Sequence, residues 1–349
     1  MNDYRVSTNS QKKQSFDTSK NNILLIASAE SQKQAKIILN PLNIESAKQI
    51  YGDNNPLFDA YKLAYETTND SNIYTVNCPM TTDFIEIIDT IINYDFHYIV
   101  PIDIYLEDTF VNPINDKTTY FCNYYLERLG GVDSLSTLIM TNRPSYLYDS
   151  IDDYISSTKK MFKTYKETSL HILERYGSNI IFILNNLNES YYSNVLLAAI
   201  LSINAFTNYP SSVPYKTHFD IDKSDLNNVN FSYFKYCTNT NSCTIENLKN
   251  LRITDDIYKW VLVDEAIKCV IRTLNLDEFR GRLYSPYIKT QINTRIKKLM
   301  EEMKDVVFKQ YVIESVQFVK TAPAVGYINI KLSIVPFGTL EHINIVMGV

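Results

Sequence analysis

Tyr327–Val335 reads YINIKLSIV. Ile328, Ile330, Leu332 and Ile334 alternate with Asn329, Lys331 and Ser333, so the period is two and the segment is a strand with one apolar and one wet face. Pro336 has no N–H to extend a ladder, and Gly338 lets the chain turn. Toward the N-terminus, Val312 to Phe318 reads as the partner strand of a hairpin. Before it, Ser285 is a good N-cap and Pro286 sits at the first helical position, where its missing N–H costs nothing. Ile288, Ile292, Ile296, Leu299 and Met303 then fall on one helical face. Toward the C-terminus, Glu341 to Val349 alternates again, with Ile343, Ile345 and Met347 on one parity. A strand-like tail beyond a closed hairpin needs a sheet to join, its own or a neighbour's.

The chain has 349 residues, enough for two or three domains or one elaborated α/β unit, and its 45% hydrophobic content supports a sizeable core. The net charge is −5 with no basic excess, which argues against nucleic acid as a direct partner. Tyrosine reaches 27 residues. Tyrosine suits interfaces because it buries area and keeps a polar tip, although abundant Asn, Ile and Lys equally fit an AT-rich gene. The cysteines, Cys78, Cys122, Cys237, Cys243 and Cys269, form an odd, scattered set that reads as reduced thiols rather than a disulfide framework. Neither a signal-peptide core nor a membrane-length apolar run is visible; Val195 to Phe206 is interrupted by Ser202 and Asn204.

Residues 1–22 are polar and read as an extended arm, with Tyr4, Val6 and Phe16 as its apolar anchors. Short apolar runs at Ile23–Ala27, Ile73–Val76, Tyr98–Ile102, Leu135–Thr141 and Ile180–Leu184 read as buried strands. Helices are expected at Ser46–Tyr51, Pro56–Glu66, from Asp83 with Glu86 completing a capping box, Thr118–Leu129, Asp149–Tyr176, Ser193–Phe206 and Asp255–Leu274. Alternation of strand and helix means an α/β body with a mainly parallel sheet. The expected fold class is α/β, α+β overall: a mixed sheet flanked by helices, a C-terminal helix and β-hairpin domain, and extended arms at both ends. The expected divisions are an arm at 1–22, a body at 23–250 with a possible subdivision near 105–150, a C-terminal domain at 251–337 and an arm strand at 338–349. Thr207 to Pro214, with two prolines, reads as loop, and Phe219 to Thr244 is Asn- and Ser-rich and poorly periodic.

Chemistry is hard to place in this chain. With 8 glycines there is no GxxxxGK[ST] and no GxGxxG, so phosphate binding has no loop to use. Asp220, Asp222 and Ser224 resemble the start of a calcium loop, but Asp225 stands where glycine is required and Phe231 where glutamate is required. A solvated turn with Asx-type bonds accounts for that stretch. His97, His171, His218 and His342 each stand alone, and no serine lies in a GxSxG elbow. Asp152-Asp153 and Asp255-Asp256 sit at expected helix starts, where the dipole favours anions. No catalytic, cofactor-binding or metal-binding residue is assigned. An α/β enzyme with a site dispersed in sequence stays open as an alternative of another class.

Several stretches resemble the contractile tail sheath proteins of bacteriophages and phage-tail-like bacteriocins. Ile257–Leu274, Ser285–Met303, Phe308–Phe318, Gly326–Phe337 ending in Val-Pro-Phe, and Glu341–Ile345 match the order of that family's C-terminal domain. Ile23–Ala29, Pro41, Ile50-Tyr51-Gly52, Pro56–Tyr61 and Tyr98–Pro101 are similar to its earlier part. The family's Pro-Gly-Val type opening turn is missing, and the chain is short for a sheath protein. The resemblance implies a structural subunit that stacks in six-fold rings around an inner tube and contracts to drive the tube through a bacterial envelope. It implies no enzyme activity and no cofactor. Implied partners are further copies of the chain, the tube protein, and baseplate and collar or terminator proteins, without direct nucleic acid or membrane contact, in a virion or tailocin tail assembled in the bacterial cytoplasm. Arm residues Tyr4, Val6, Phe16, Ile343, Ile345 and Met347 would join a neighbour's sheet presenting Val316, Phe318, Ile328, Ile330, Leu332 and Ile334. A sheath-like ring protein of the baseplate or neck is the near alternative.

Overall fold

A computed structural model describes residues 21–27, 36–69, 72–78, 86–88, 90–91, 94, 96–112, 116–130, 135–188, 192–204, 213–226, 231–254, 260–274, 279, 285–305, 307–322 and 325–336. The chain divides into two compact units, residues 1–204 with 209–259, and residues 205–208 with 260–349.

The first unit is built on a six-stranded sheet. Its strands are β1 (Ile23–Ala27), β2 (Ile38–Leu39), β3 (Ile73–Asn77), β4 (Tyr98–Pro101), β7 (Thr137–Thr141) and β8 (Ile180–Ile183), in the order β2-β3-β1-β4-β7-β8. β3, β1, β4, β7 and β8 run parallel, and only the short edge strand β2 is antiparallel. Parallel strands need long crossovers, and both faces of such a sheet are covered. That explains why β1, β3, β4, β7 and β8 are near-continuous apolar runs, every residue buried.

The crossovers carry α1 (Ile44–Tyr51), α2 (Pro56–Thr68), α3 (Phe121–Gly130), α4 (Ile151–Thr168) and α5 (Leu170–Tyr176), and α6 (Ser193–Asn204) follows the last strand of the sheet. Asn43 caps α1 in a reciprocal capping box with Ser46, and Asn55 with Pro56 starts α2. α6 is apolar almost all round, and Val195 to Leu201 are buried without exception. Two small hairpins complete the unit: β5 (Thr109–Val111) with β6 (Thr118–Tyr120), and β9 (Tyr233–Cys237) with β10 (Ser242–Glu246).

The mixed sheet flanked by helices matches the expectation from sequence. Three local expectations are corrected, and one aperiodic stretch proves to hold strands. Thr118–Tyr120 is a strand rather than the start of a helix, because it pairs with Thr109–Val111 before α3 begins at Phe121. The long helix breaks at Ser169, a buried residue at φ −104° and ψ 15° whose hydroxyl accepts from Asn123 at 2.8 Å. The poorly periodic stretch 219–244 carries β9 and most of β10. The helix expected from Asp255 begins at Val261, since Trp260 is extended. The expected Asp83–Glu86 capping box falls partly outside the described residues.

The second unit contains α7 (Val261–Thr273), α8 (Pro286–Met303), β11 (Phe308–Ala322) and β12 (Val325–Pro336). Ser285 caps α8 as expected, its Oγ accepting from the Ile288 N–H at 3.2 Å. Ile292, Ile296, Leu299, Met300 and Met303 of α8 form a core with Ala266 and Val270 of α7, and with Phe308 and Val316 of β11.

Candidate assembly surfaces

The hairpin is the most distinctive surface of the second unit. β11 and β12 run antiparallel from Phe308↔Pro336 to Ala322↔Val325, and among the described residues no other strand pairs with either, apart from a single bridge of Phe308 to Lys304. At about 3.3 Å per residue, β11 spans roughly 50 Å. Among the described residues each strand therefore has an outer edge whose N–H and C=O groups are in no ladder, a template for a further strand. Register shifts at Lys309, Glu314 and Thr321 bend the ribbon.

The two faces of the hairpin differ. Ile313, Ile328, Ile330, Leu332 and Ile334 pack against the α8 core, and Val316 belongs to it. The Tyr311 hydroxyl donates to Glu301 of α8 at 2.6 Å, and that carboxylate pushes the phenol pKa up. On the opposite face Glu314 lies 2.5 Å from Lys331 and accepts from Ser333. These bonds hold the Glu314 carboxyl below its ordinary range. Val312 is 59% and Val335 50% solvent-exposed there.

The residues expected as a receiving sheet therefore share one ribbon, but Val316, Ile328, Ile330, Leu332 and Ile334 already pack within their own unit. What the hairpin offers a partner is its backbone edges and its mixed outer face. The Phe318 side chain and the arm residues Tyr4, Val6, Phe16, Ile343, Ile345 and Met347 lie outside the described residues.

A second surface lies at the carboxyl ends of β4 and β7. The Arg143 guanidinium reaches Glu107 Oε1 and Asp108 Oδ1, both at 3.2 Å, and stacks 5.0 Å above the Tyr105 ring. Tyr105 donates its hydroxyl to Asp103 at 3.3 Å and its N–H to Asp108 at 2.8 Å. Burial pushes the Glu107 carboxyl up, with Asp108 adding to the rise and Arg143 opposing it. The N-terminus of α6 is tied to the same end of the sheet by Asn194, whose amide donates to the Pro101 carbonyl at 2.7 Å. Parallel α/β sheets characteristically present ligand sites at this end. Here Arg143, Asp108, Tyr105, Asp103 and the Oε1 of Glu107 bind one another, and among the described residues no nucleophile–base pair is formed. Sequence reading missed the cluster because it draws on two loops 35 positions apart. The only available signal was that both loops follow buried strands.

The remaining singled-out residues are structural in their settings. His97 is buried and accepts the Asn22 N–H at Nδ1, 3.1 Å away, rather than being half-buried. His171 and His218 are exposed, and His342 lies outside the described residues. Asp225 accepts the N–H of Asp222, three residues before it, at 2.7 Å, and Asp222 pairs with Lys235 at 2.5 Å, so side-chain bonds within the protein occupy these carboxylates, though not as a forward Asx turn. All five cysteines are free. Among the described residues no three His, Cys, Asp or Glu side chains gather as a metal site, and no helix is long and apolar enough to cross a membrane.

Against this geometry the comparisons become informative. No protein-family model matches the chain, and no curated protein does. The fold matches solved structures over almost its full length. A chain of the anti-feeding prophage baseplate, solved with six-fold symmetry, superposes with a TM-score of 0.60 at 10% identity, covering 99% of this chain and 97% of the other. A chain of that baseplate in its contracted state gives 0.56 at 10% identity, covering 98% and 97%. A sheath tail protein from Listeria innocua gives 0.54 at 8% identity, covering 91% and 95%. This chain has the fold of contractile-tail proteins. The likeness extends over both units and is not confined to the α/β sheet, which many unrelated functions share.

Proposed function

We propose that the chain is a structural, non-enzymatic subunit of a contractile injection system, a tail-sheath subunit that polymerises in stacked six-fold rings around an inner tube and contracts to drive it through a bacterial envelope. The observation that carries this reading is the whole-length fold match to a sheath tail protein. The unpaired edges of the β11–β12 hairpin support it, because they suit strands donated by neighbouring copies. In this reading residues 1–22 and 338–349 are the donated arms, and the partners are further copies, the tube and the end complexes of the tail. The particle is assembled in the bacterial cytoplasm.

The energetics fit reversible subunits and a stable array. A donated strand of about five residues forms roughly four backbone hydrogen bonds at about 0.5–1.5 kcal/mol each. Burying Ile343, Ile345 and Met347 adds roughly 1.5–3 kcal/mol per side chain. Ordering the strand costs about 1–2 kcal/mol per residue. One arm is modestly favourable, and two arms per subunit around a ring gain through avidity.

A second reading is favoured by the two baseplate matches: a sheath-like ring component at the end of the tail. Electron microscopy separates the two, since long striated tubes fit the main sheath and isolated rings fit the end component. Deleting residues 341–349 should leave a folded subunit, with an unchanged circular dichroism spectrum, that no longer assembles. Normal assembly by the truncated chain refutes the arm mechanism. A persistent monomer whose melting temperature rises with a small ligand points instead to an α/β enzyme.

A further inference from the structure

The hairpin accounts for strand donation but leaves the surface at the carboxyl ends of β4 and β7 without a role. Its anatomy is that of an interface. Tyr146 is 40% exposed and Leu147 61% exposed. Asp103 and Asp59 are exposed and Tyr105 and Tyr192 partly so, and the Asn194–Pro101 hydrogen bond holds the segment after Tyr192 against the strand end before Asp103. Burial, then Asp103, Asp59 and the neighbouring Tyr105 and Tyr146, push the Tyr192 phenol up, which places these groups within electrostatic reach of one another. Glu107 and Asp108 extend the rim, and Glu107 Oε2 is enclosed with no hydrogen-bond partner among the described residues. Among the described residues, Asp59, Asp103, Glu107 and Asp108 outnumber the neighbouring cations, Arg143 and the Lys62 that acts on Asp59. An aromatic and apolar centre with a charged rim is the usual composition of a protein-binding surface.

Arg143 shows how a cation sits here: flat over a tyrosine ring, with carboxylates on its nitrogens. Tyr146 and Tyr192 beside Asp103 and Asp59 offer a second seat of the same chemistry. The complement is present elsewhere on this chain. α8 exposes Lys289, Arg295, Lys297 and Lys298 before its first acid, Glu301, and α4 exposes Lys160, Lys163 and Lys166.

We propose that the acidic, tyrosine-bearing surface formed by Asp59, Asp103, Tyr105, Tyr146, Leu147 and Tyr192 docks a lysine-bearing helix face of a second copy of this chain. An acidic surface repels itself, so two such surfaces cannot face each other in a two-fold dimer. The contact is heterologous, the kind that propagates into rings or helices. It therefore adds a side-chain contact to the strand-donation contacts, and it relies on the assembly reading only for the partner being a second copy.

Carbodiimide coupling tests this on the full-length protein, since it joins a carboxylate to an amine only where they touch. Equal amounts of ¹⁴N- and ¹⁵N-labelled chain are mixed, cross-linked and digested. The expected result is mixed-isotope peptides joining Asp59 or Asp103 to a lysine of another copy, on α8 or α4. Their yield should fall severalfold in high salt, which screens the contact and leaves the coupling chemistry intact. In the Asp59→Asn, Asp103→Asn double variant, which cannot couple at these sites, self-association measured by sedimentation velocity should weaken severalfold; asparagine keeps the shape at both sites and tolerates the left-handed backbone of Asp103, at φ 57°. The proposal is overturned if no mixed-isotope link forms, if mixed links avoid these carboxylates, or if the double variant self-associates as strongly as wild type. Electron microscopy of the same samples reports separately on ring formation, so failure of the docking contact and failure of the sheath reading are told apart.

Discussion

Gly177 provides a test in which local propensity and tertiary packing predict opposite signs. It closes α5 at φ −60° and ψ −20°, a conformation any residue adopts. On backbone entropy alone, Gly177→Ala stabilises by about 0.4–1 kcal/mol. The tertiary surroundings say otherwise. A Cβ built at Gly177 lies 2.8 Å from the Leu251 carbonyl oxygen, 2.9 Å from Arg252 Cα and 3.0 Å from Arg252 N. Comfortable heavy-atom contacts are about 3.5–4.0 Å, so the 251–252 backbone must retreat by roughly 0.5–1 Å. That backbone is anchored: Leu251 N–H donates to the Ile180 carbonyl at 3.0 Å, and Asn250 bridges to Ile181 on the edge of β8. Overpacking costs about 1–3 kcal/mol, and weakening the edge hydrogen bond about 0.5–1.5 kcal/mol more. The clash outweighs the entropy gain, for a net loss of about 1–3 kcal/mol. Urea unfolding of wild type and variant measures it at constant m-value. Amide exchange should show Leu251 N–H opening faster than the rest of the sheet. A variant as stable as wild type or more so would refute the argument.

Two further outcomes follow from the polar interior and the hairpin face. Asn142 donates to Thr158 Oγ1 at 2.8 Å and accepts from the Tyr154 hydroxyl at 3.1 Å and the Asn185 N–H at 3.0 Å. Asn142→Ala strands those buried donors and should cost about 2–5 kcal/mol in denaturant unfolding; a loss under about 1 kcal/mol would show that the network is not holding β7, α4 and the end of β8 together. Glu314, held low by Lys331 and Ser333, should titrate below an ordinary glutamate when its carboxyl shift is followed by NMR. Its depressed pKa means that its stabilising contribution is complete above the unfolded pKa and disappears as pH falls through the folded value. Lys331→Met should move the titration up, and an unmoved titration would show that the pair is not populated.

Elements whose side-chain pattern shows one period throughout were legible from sequence. α8 was placed by Ser285, Pro286 and its apolar stripe, and β12 by strict alternation, because both signals are local. The parallel strands were legible as short apolar runs, though their lengths needed the structure. β9 and β10 were not legible. Tyr233 and Phe234 are both buried in succession, so no period of two marks the strand. The break at Ser169 was hidden for a different reason: its hydroxyl bonds to Asn123, 46 positions away. The Arg143 cluster was invisible because its charges come from separate loops and each looks like a solvated residue alone.

The sequence by itself determined where the chain alternates, where it caps its helices, that the ribbon near the C-terminus has one dry face, and that no glycine-rich phosphate loop motif is present. These depend on neighbours within a few positions, where helix and strand periods act. Only the tertiary structure decided the strand order β2-β3-β1-β4-β7-β8, the reversal of β2, the absence among the described residues of a further strand beside β11 and β12, and the approach of Asp59, Asp103 and Tyr146 to Tyr192. Those features rest on contacts between residues far apart in the chain. Their free energy comes from pairing and burial that no local window contains.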